Sequence, residues 1–121
     1  MQNKLEIDGT TIIGIENGES STGVKWTKFS DGTMIQYGRF VVSFNNEAFI
    51  QGTVALPYAF VGLPATSVGP ASTGNSTLIF RCSGSVAQDN NQLDWSIGTY
   101  NNAAISSANR SLDFIIIGRW K

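Results

Sequence analysis

The chain has 121 residues, 41% of them apolar and 14% charged, with a net charge of −1. This length gives one domain, or one domain with a short extra segment, and the composition is globular rather than disordered. The eight Lys and Arg side chains are scattered and form no basic stripe for nucleic acid, no apolar run reaches membrane-spanning length, and no signal peptide opens the chain.

Residues 1–22 place short apolar pairs between Asp8-Gly9, Gly14 and Asn17-Gly18 and run out in a Ser/Thr-rich linker composition. They are too few to form a core of their own. The segment reads either as an ordinary edge strand and loop or as a piece that needs partners. From Val24 onward the pattern is strand after strand, with no helical periodicity. Residues 24–29 and 33–44 form a hairpin about Ser30-Asp31-Gly32, because Asp and Gly tolerate the positive φ of tight turns.

In the second strand Met34, Phe40, Val42 and Phe44 share one face, and Ile35, Tyr37 and Val41 share the other. Both faces are apolar, so this strand is expected to be buried on both sides. Gly38 within it marks a bulge or a close backbone approach. A further strand covers residues 49–56, residues 57–60 turn the chain, and residues 61–64 lead into residues 66–68. Residues 70–76 read as a polar loop. Leu78, Phe80, Cys82 and Val86 alternate with polar residues, as do Leu93, Trp95 and Ile97. Residues 99–111 read as a second polar loop, and residues 112–120 as the last strand. These short strands, separated by turn residues, predict an all-β chain folded as an antiparallel β-sandwich.

Catalytic vocabulary is sparse. There is no histidine, and one cysteine, so the commonest general base is missing and neither a zinc site nor an internal disulfide is expected. Cys82 on a strand pattern reads as a buried, inert thiol. No metal site, cofactor or enzymatic activity is expected. Asp89 and Asp94 are the one carboxylate pair to weigh. They suit glycoside hydrolysis at the right separation, and they suit a hairpin turn equally well.

Binding chemistry is better represented. Sugars are recognised by aromatic faces and by short amides and carboxylates that fork onto hydroxyls. Gln88, Asp89, Asn90 and Asn91 form a dense polar run, Tyr100, Asn101 and Asn102 follow the next strand, and Arg110 closes the second loop. These eight are the candidate ligand-binding residues. Trp26, Trp95 and Trp120 read as core or interface, and Tyr100 as the exposed aromatic.

Two blocks carry a resemblance. The opening Trp26-x-Lys28-x-x-Asp31-Gly32-x-x-Ile35-Gln36-Tyr37-Gly38 and the closing Ile117-Gly118-Arg119-Trp120 resemble the C-terminal head domains of phage tail fibres and receptor-binding proteins. The pattern Val54-x-Leu56-Pro57-x-x-Phe60-x-x-x-Pro64 is similar to one in the same heads and in H-type lectins, where it bridges two sheets. The resemblance implies a homotrimeric β-sandwich at a fibre tip on the virion, binding a host cell-surface glycan or protein. It also implies that residues 1–22 end an intertwined shaft and that residues 23–121 form the head. Its motif residues are structural, so the ligand-binding candidates rest on loop chemistry. A cap that trimerises a fibre without a ligand of its own is the rival function, and a surface-polysaccharide hydrolase is a weaker third.

Overall fold

The computed structural model describes residues 5–7, 10–12, 15–70, 80–99 and 103–121. Among them there is no helix, and the strands are β1 (Leu5–Ile7), β2 (Thr10–Ile12), β3 (Ile15–Glu19), β4 (Lys25–Phe29), β5 (Thr33–Phe44), β6 (Phe49–Ala55), β7 (Val61–Pro70), β8 (Phe80–Val86), β9 (Gln92–Thr99) and β10 (Ala108–Arg119). β1 and β2 pair with each other. A five-stranded sheet has the order β3-β4-β5-β10-β7, a three-stranded sheet has the order β6-β9-β8, and every pairing is antiparallel.

The segment that precedes the hairpin therefore contributes the β1–β2 hairpin and the edge strand β3. The β4–β5 turn forms as its residues dictate. Gly32 has φ +100°, its N–H donates to the Phe29 carbonyl at 3.0 Å, and an Asp31 carboxylate oxygen accepts the Thr33 N–H at 2.9 Å.

The two sheets close over a shared core. At one end Val24, Met34, Phe114 and Ile116 meet Leu56, Phe60, Val86 and Leu93. At the other, Val42, Phe44 and Leu112 meet Ile97. Burial of such side chains contributes about 1.5–3 kcal/mol each and is the main force holding the layers together. The tryptophans complete this packing. Trp95 lies at 5.2 Å from Phe40, centroid to centroid, and faces the backbone of Gly52, its register partner on β6. A Cβ on Gly52 would stand 2.7 Å from the Trp95 indole. Trp26 covers its own partner Gly18 in the same way, with 2.6 Å left for a Cβ.

Several expectations change. β5 is not buried on both sides. Its inner residues Met34, Val42 and Phe44 are buried, but Val41 on the outer face is 65% exposed, because among the described residues no layer covers that face. The last strand begins at Ala108, four residues before the expected start. β5 is long enough to offer partners, from Val41 to Phe44, to residues 108–111. Residues 61–64 belong to β7 itself. At Gly38 the register runs on unbroken, and a Cβ there would lie 3.2 Å from the Phe114 ring, so the glycine marks a close approach and not a bulge.

Candidate functional site

The run Gln88, Asp89, Asn90, Asn91 forms the turn between β8 and β9 and is exposed. The turn is stitched to residues 56–62, the connection between the two sheets. The Leu56 N–H donates to the Asn91 carbonyl at 2.7 Å, and the Phe60 N–H to the Asn90 carbonyl at 3.3 Å. Asp89 takes φ +59°, and its carboxylate accepts the Gly62 N–H at 2.9 Å. The Asn90 side-chain oxygen accepts the Asn91 N–H at 2.7 Å. Asp89 and Asn90 thus have structural duties, whereas the Gln88 and Asn91 side chains make no hydrogen bond among the described residues. Asp94 accepts from the Gln92 amide at 2.9 Å, within the same strand.

The candidates do not form one constellation. Arg110 lies in β10, opposite Val42, and not in a loop, with its guanidinium donating to the Asn109 carbonyl at 3.0 Å. That is the end of the sandwich away from the 88–91 turn. Tyr100, Asn101 and Asn102 lie outside the described residues, as does the alternative loop at residues 71–76. Thr99, which precedes Tyr100, ends β9 at the far end from Gln92. The strand's eight residues separate its ends by about 23 Å.

Two features of the structure went unread in the sequence. The first is the outer face of the five-stranded sheet. Of the eight large apolar side chains exposed among the described residues, seven belong to this sheet: Ile15, Tyr37, Val41, Val61, Leu63, Ile115 and Ile117. Alternation places all seven on the side away from β6-β9-β8. Leu63, in the irregular stretch of β7 opposite β10, is 78% exposed. Across the centre of the face run the Arg39–Asp113 ion pair, at 2.6 Å, and a shallow depression of about 570 Å³ that it shares with Glu19, Lys25, Tyr37 and Ile115. The Arg39 guanidinium holds the Asp113 carboxyl below the ordinary aspartate value.

The second is an aromatic box at the end that carries the 88–91 turn. Trp26 from β4 and Tyr58 from residues 56–60 meet edge to face at 4.9 Å, and Trp120 follows β10. The Lys28 ammonium stands 3.5 Å from the Tyr58 ring centre, 5.2 Å from that of Trp120 and 5.5 Å from that of Trp26. The Lys121 ammonium lies 4.9 Å from the Trp120 ring. Each wall is fixed from behind. The Trp120 indole N–H donates to the Phe29 carbonyl at 2.8 Å, and the buried Gln36 amide donates to the Tyr58 carbonyl at 2.8 Å. The two sequence blocks singled out above are therefore one physical unit. The signal for it was the spacing of Trp26 and Lys28, which puts both on one face of a strand.

Among the described residues no helix is long and apolar enough to cross a membrane, and no cluster of three or more His, Cys, Asp or Glu could hold a metal ion. No protein-family model and no curated protein matches the chain. Two solved structures are similar to it. One is a C-terminal fragment of the P. aeruginosa R1 pyocin fibre, with TM-score 0.58 and 16% identity over 86% of this chain and 28% of that one. The other is an N-truncated R1-type pyocin tail fibre, with TM-score 0.56 and 16% identity over 86% of this chain and 84% of that one. The fold is that of a tail-fibre domain. This chain spans under a third of the longer fibre fragment.

Proposed function

We propose that this chain is the receptor-binding head of a phage-type tail fibre, a homotrimer that attaches the virion to saccharides on a bacterial surface in a lectin-like manner. The observation that carries the reading is the outer face of the five-stranded sheet, with seven exposed apolar side chains on a fold shared with tail fibres. Soluble monomers rarely leave so extended an apolar face in water. Closed symmetry between copies covers such a face, and three-fold closure suits a fibre. Residues 1–22 then lead in as the shaft-like piece, whose strand β3 joins the sheet of the head formed by residues 23–121 at the fibre tip. Saccharide contacts are assigned to two separate positions. One is the turn Gln88–Asn91 and the other is Arg110 on β10, while Tyr100, Asn101 and Asn102 are kept as candidates on the chemistry of their side chains alone.

The structural-cap reading draws on the turn itself, where Asp89 and Asn90 spend their side-chain oxygens on backbone N–H groups. The hydrolase reading has only Asp89 and Asp94, and both accept hydrogen bonds that organise the turn or its strand. Light scattering on the intact chain and on Ile117→Lys, followed by a bacterial glycan array, tests the proposal. The expected results are a trimer, its loss in the variant, and array binding by the trimer. A monodisperse monomer at micromolar concentration sinks the assembly claim, and a trimer blind to every glycan leaves the cap reading in its place.

A further inference from the structure

We propose that the box of Trp26, Lys28, Tyr58 and Trp120 is a binding site for an acidic saccharide, a pyranose bearing a carboxylate or a phosphate. The inference rests on the saccharide reading above and gives it a chemical class and a place. Three aromatic rings and an ammonium meet here, and all four residues keep part of their surface in solvent. Among the described residues Lys28 has no ion-pair partner, since the ion pair there joins Arg39 to Asp113. Two carboxylates approach the region. Glu16 stands opposite Lys28 in the β3–β4 register, and Asp31 is committed to the Thr33 N–H. Neither closes on the Lys28 ammonium.

The box is held from behind: the Trp26 ring lies against Gly18, the Trp120 indole is bonded to the Phe29 carbonyl, and the backbone of Tyr58 is bonded to the Gln36 amide. Preorganised aromatic walls cost little entropy on binding. The solvent-facing parts of Trp26 and Trp120 take the C–H face of a sugar, while the Lys28 ammonium, which covers the Tyr58 ring, takes the anionic substituent. Lys121, on the Trp120 ring, adds a second positive charge. Two ammonium groups beside shared rings favour an acidic sugar over a neutral one of the same shape. Residues 56–60 carry Tyr58 and also receive the backbone bonds of the 88–91 turn, so the box and the turn lie at one end of the head.

The test is a titration of the intact, nitrogen-15-labelled chain with trigalacturonate, galactotriose and inorganic phosphate, read at the backbone amide signals and at the indole N–H signals of the tryptophans. Trigalacturonate is expected to shift Trp26 and Trp120 but not Trp95, with a response that weakens as salt rises. Galactotriose is expected to bind at least about tenfold more weakly, a difference of about 1.4 kcal/mol. Lys28→Met keeps the aliphatic stem and should lose that preference while the melting temperature holds. If the variant fails to fold, the salt series and the galactotriose comparison decide. Equal shifts with phosphate alone, or an unchanged preference in Lys28→Met, overturn the proposal. Shifts confined to residues 88–92 overturn this site and leave saccharide attachment standing, whereas silence with every sugar counts against both.

Discussion

The Trp120 indole N–H donates to the Phe29 carbonyl at 2.8 Å, and so locks the end of the last strand to the β4–β5 turn. Two neighbouring bonds reinforce the lock. The Trp120 backbone N–H donates to the Gly32 carbonyl at 2.9 Å, and the Arg119 guanidinium to the Asp31 carbonyl at 2.7 Å. A hydrogen-bonded indole packed against the core serves as both wedge and clasp.

Trp120→Ala is therefore expected to lower stability by about 3 kcal/mol, the low end of the loss on truncating a buried aromatic, because the ring is only partly buried. Trp120→Phe keeps a ring and loses the clasp, at about 1 kcal/mol. Urea unfolding of both variants checks the pair, and equal losses would show that the hydrogen bond carries the whole effect.

Gly52→Ala is expected to destabilise by about 1–3 kcal/mol, because the new methyl group overpacks the site. It would meet the Trp95 indole at 2.7 Å. A shifted Trp95 emission should accompany the loss. Gly69→Ala, with no atom within 4 Å of the added carbon, is the control and should be nearly neutral.

Asp89→Ala is expected to cost about 1 kcal/mol, because it removes the acceptor for the Gly62 N–H. Asp89→Asn keeps an oxygen and tolerates the positive φ, so its melting temperature should stay near that of the parent. A binding defect in Asp89→Asn would then report on ligand contact and not on the turn. Thermal melts run beside cell-attachment assays separate the two effects.

Acid should weaken the fold through two carboxyls. Asp31 is held below the ordinary aspartate value by the Thr33 N–H, and Asp113 by the Arg39 guanidinium. Both folded values lie below the unfolded ones. Their stabilisation is thus complete above about pH 4 and is lost as pH falls through the lower folded values. Melting temperatures from pH 7 downward should drop on this acid limb. The double variant Asp31→Asn, Asp113→Asn should flatten it, and an unchanged limb would exclude these two groups as its source.

What was legible in the sequence was what neighbouring residues decide. Asp31-Gly32 specifies its turn locally, and alternation in residues 93–97 sets which side of β9 faces the core. The exposure of Val41 was not legible, because alternation tells which residues share a face but not whether another layer lies over it. The bonding of the turn at Gln88–Asn91 was hidden for a related reason. Its amides look like ligand donors, yet the backbone of residues 56–62, distant in sequence, claims several of its oxygens. The aromatic box draws its walls from three separate segments, and no local pattern announces their meeting.

β10 is hydrogen-bonded on both flanks, to β5 and to β7, and its partners on both lie dozens of positions earlier in the chain. The β3-β4-β5 meander closes through short loops, but the large sheet stays split until β10 slots in last. Such non-local closure is slow, because loop entropy is spent before the contacts that repay it exist. Until then β5 and β7 present raw, apolar borders able to pair with the same borders of another chain. The kinetic hazard is intermolecular strand exchange during refolding. Refolding yield should fall as protein concentration rises, and a yield independent of concentration would show that β10 inserts before neighbouring chains can meet.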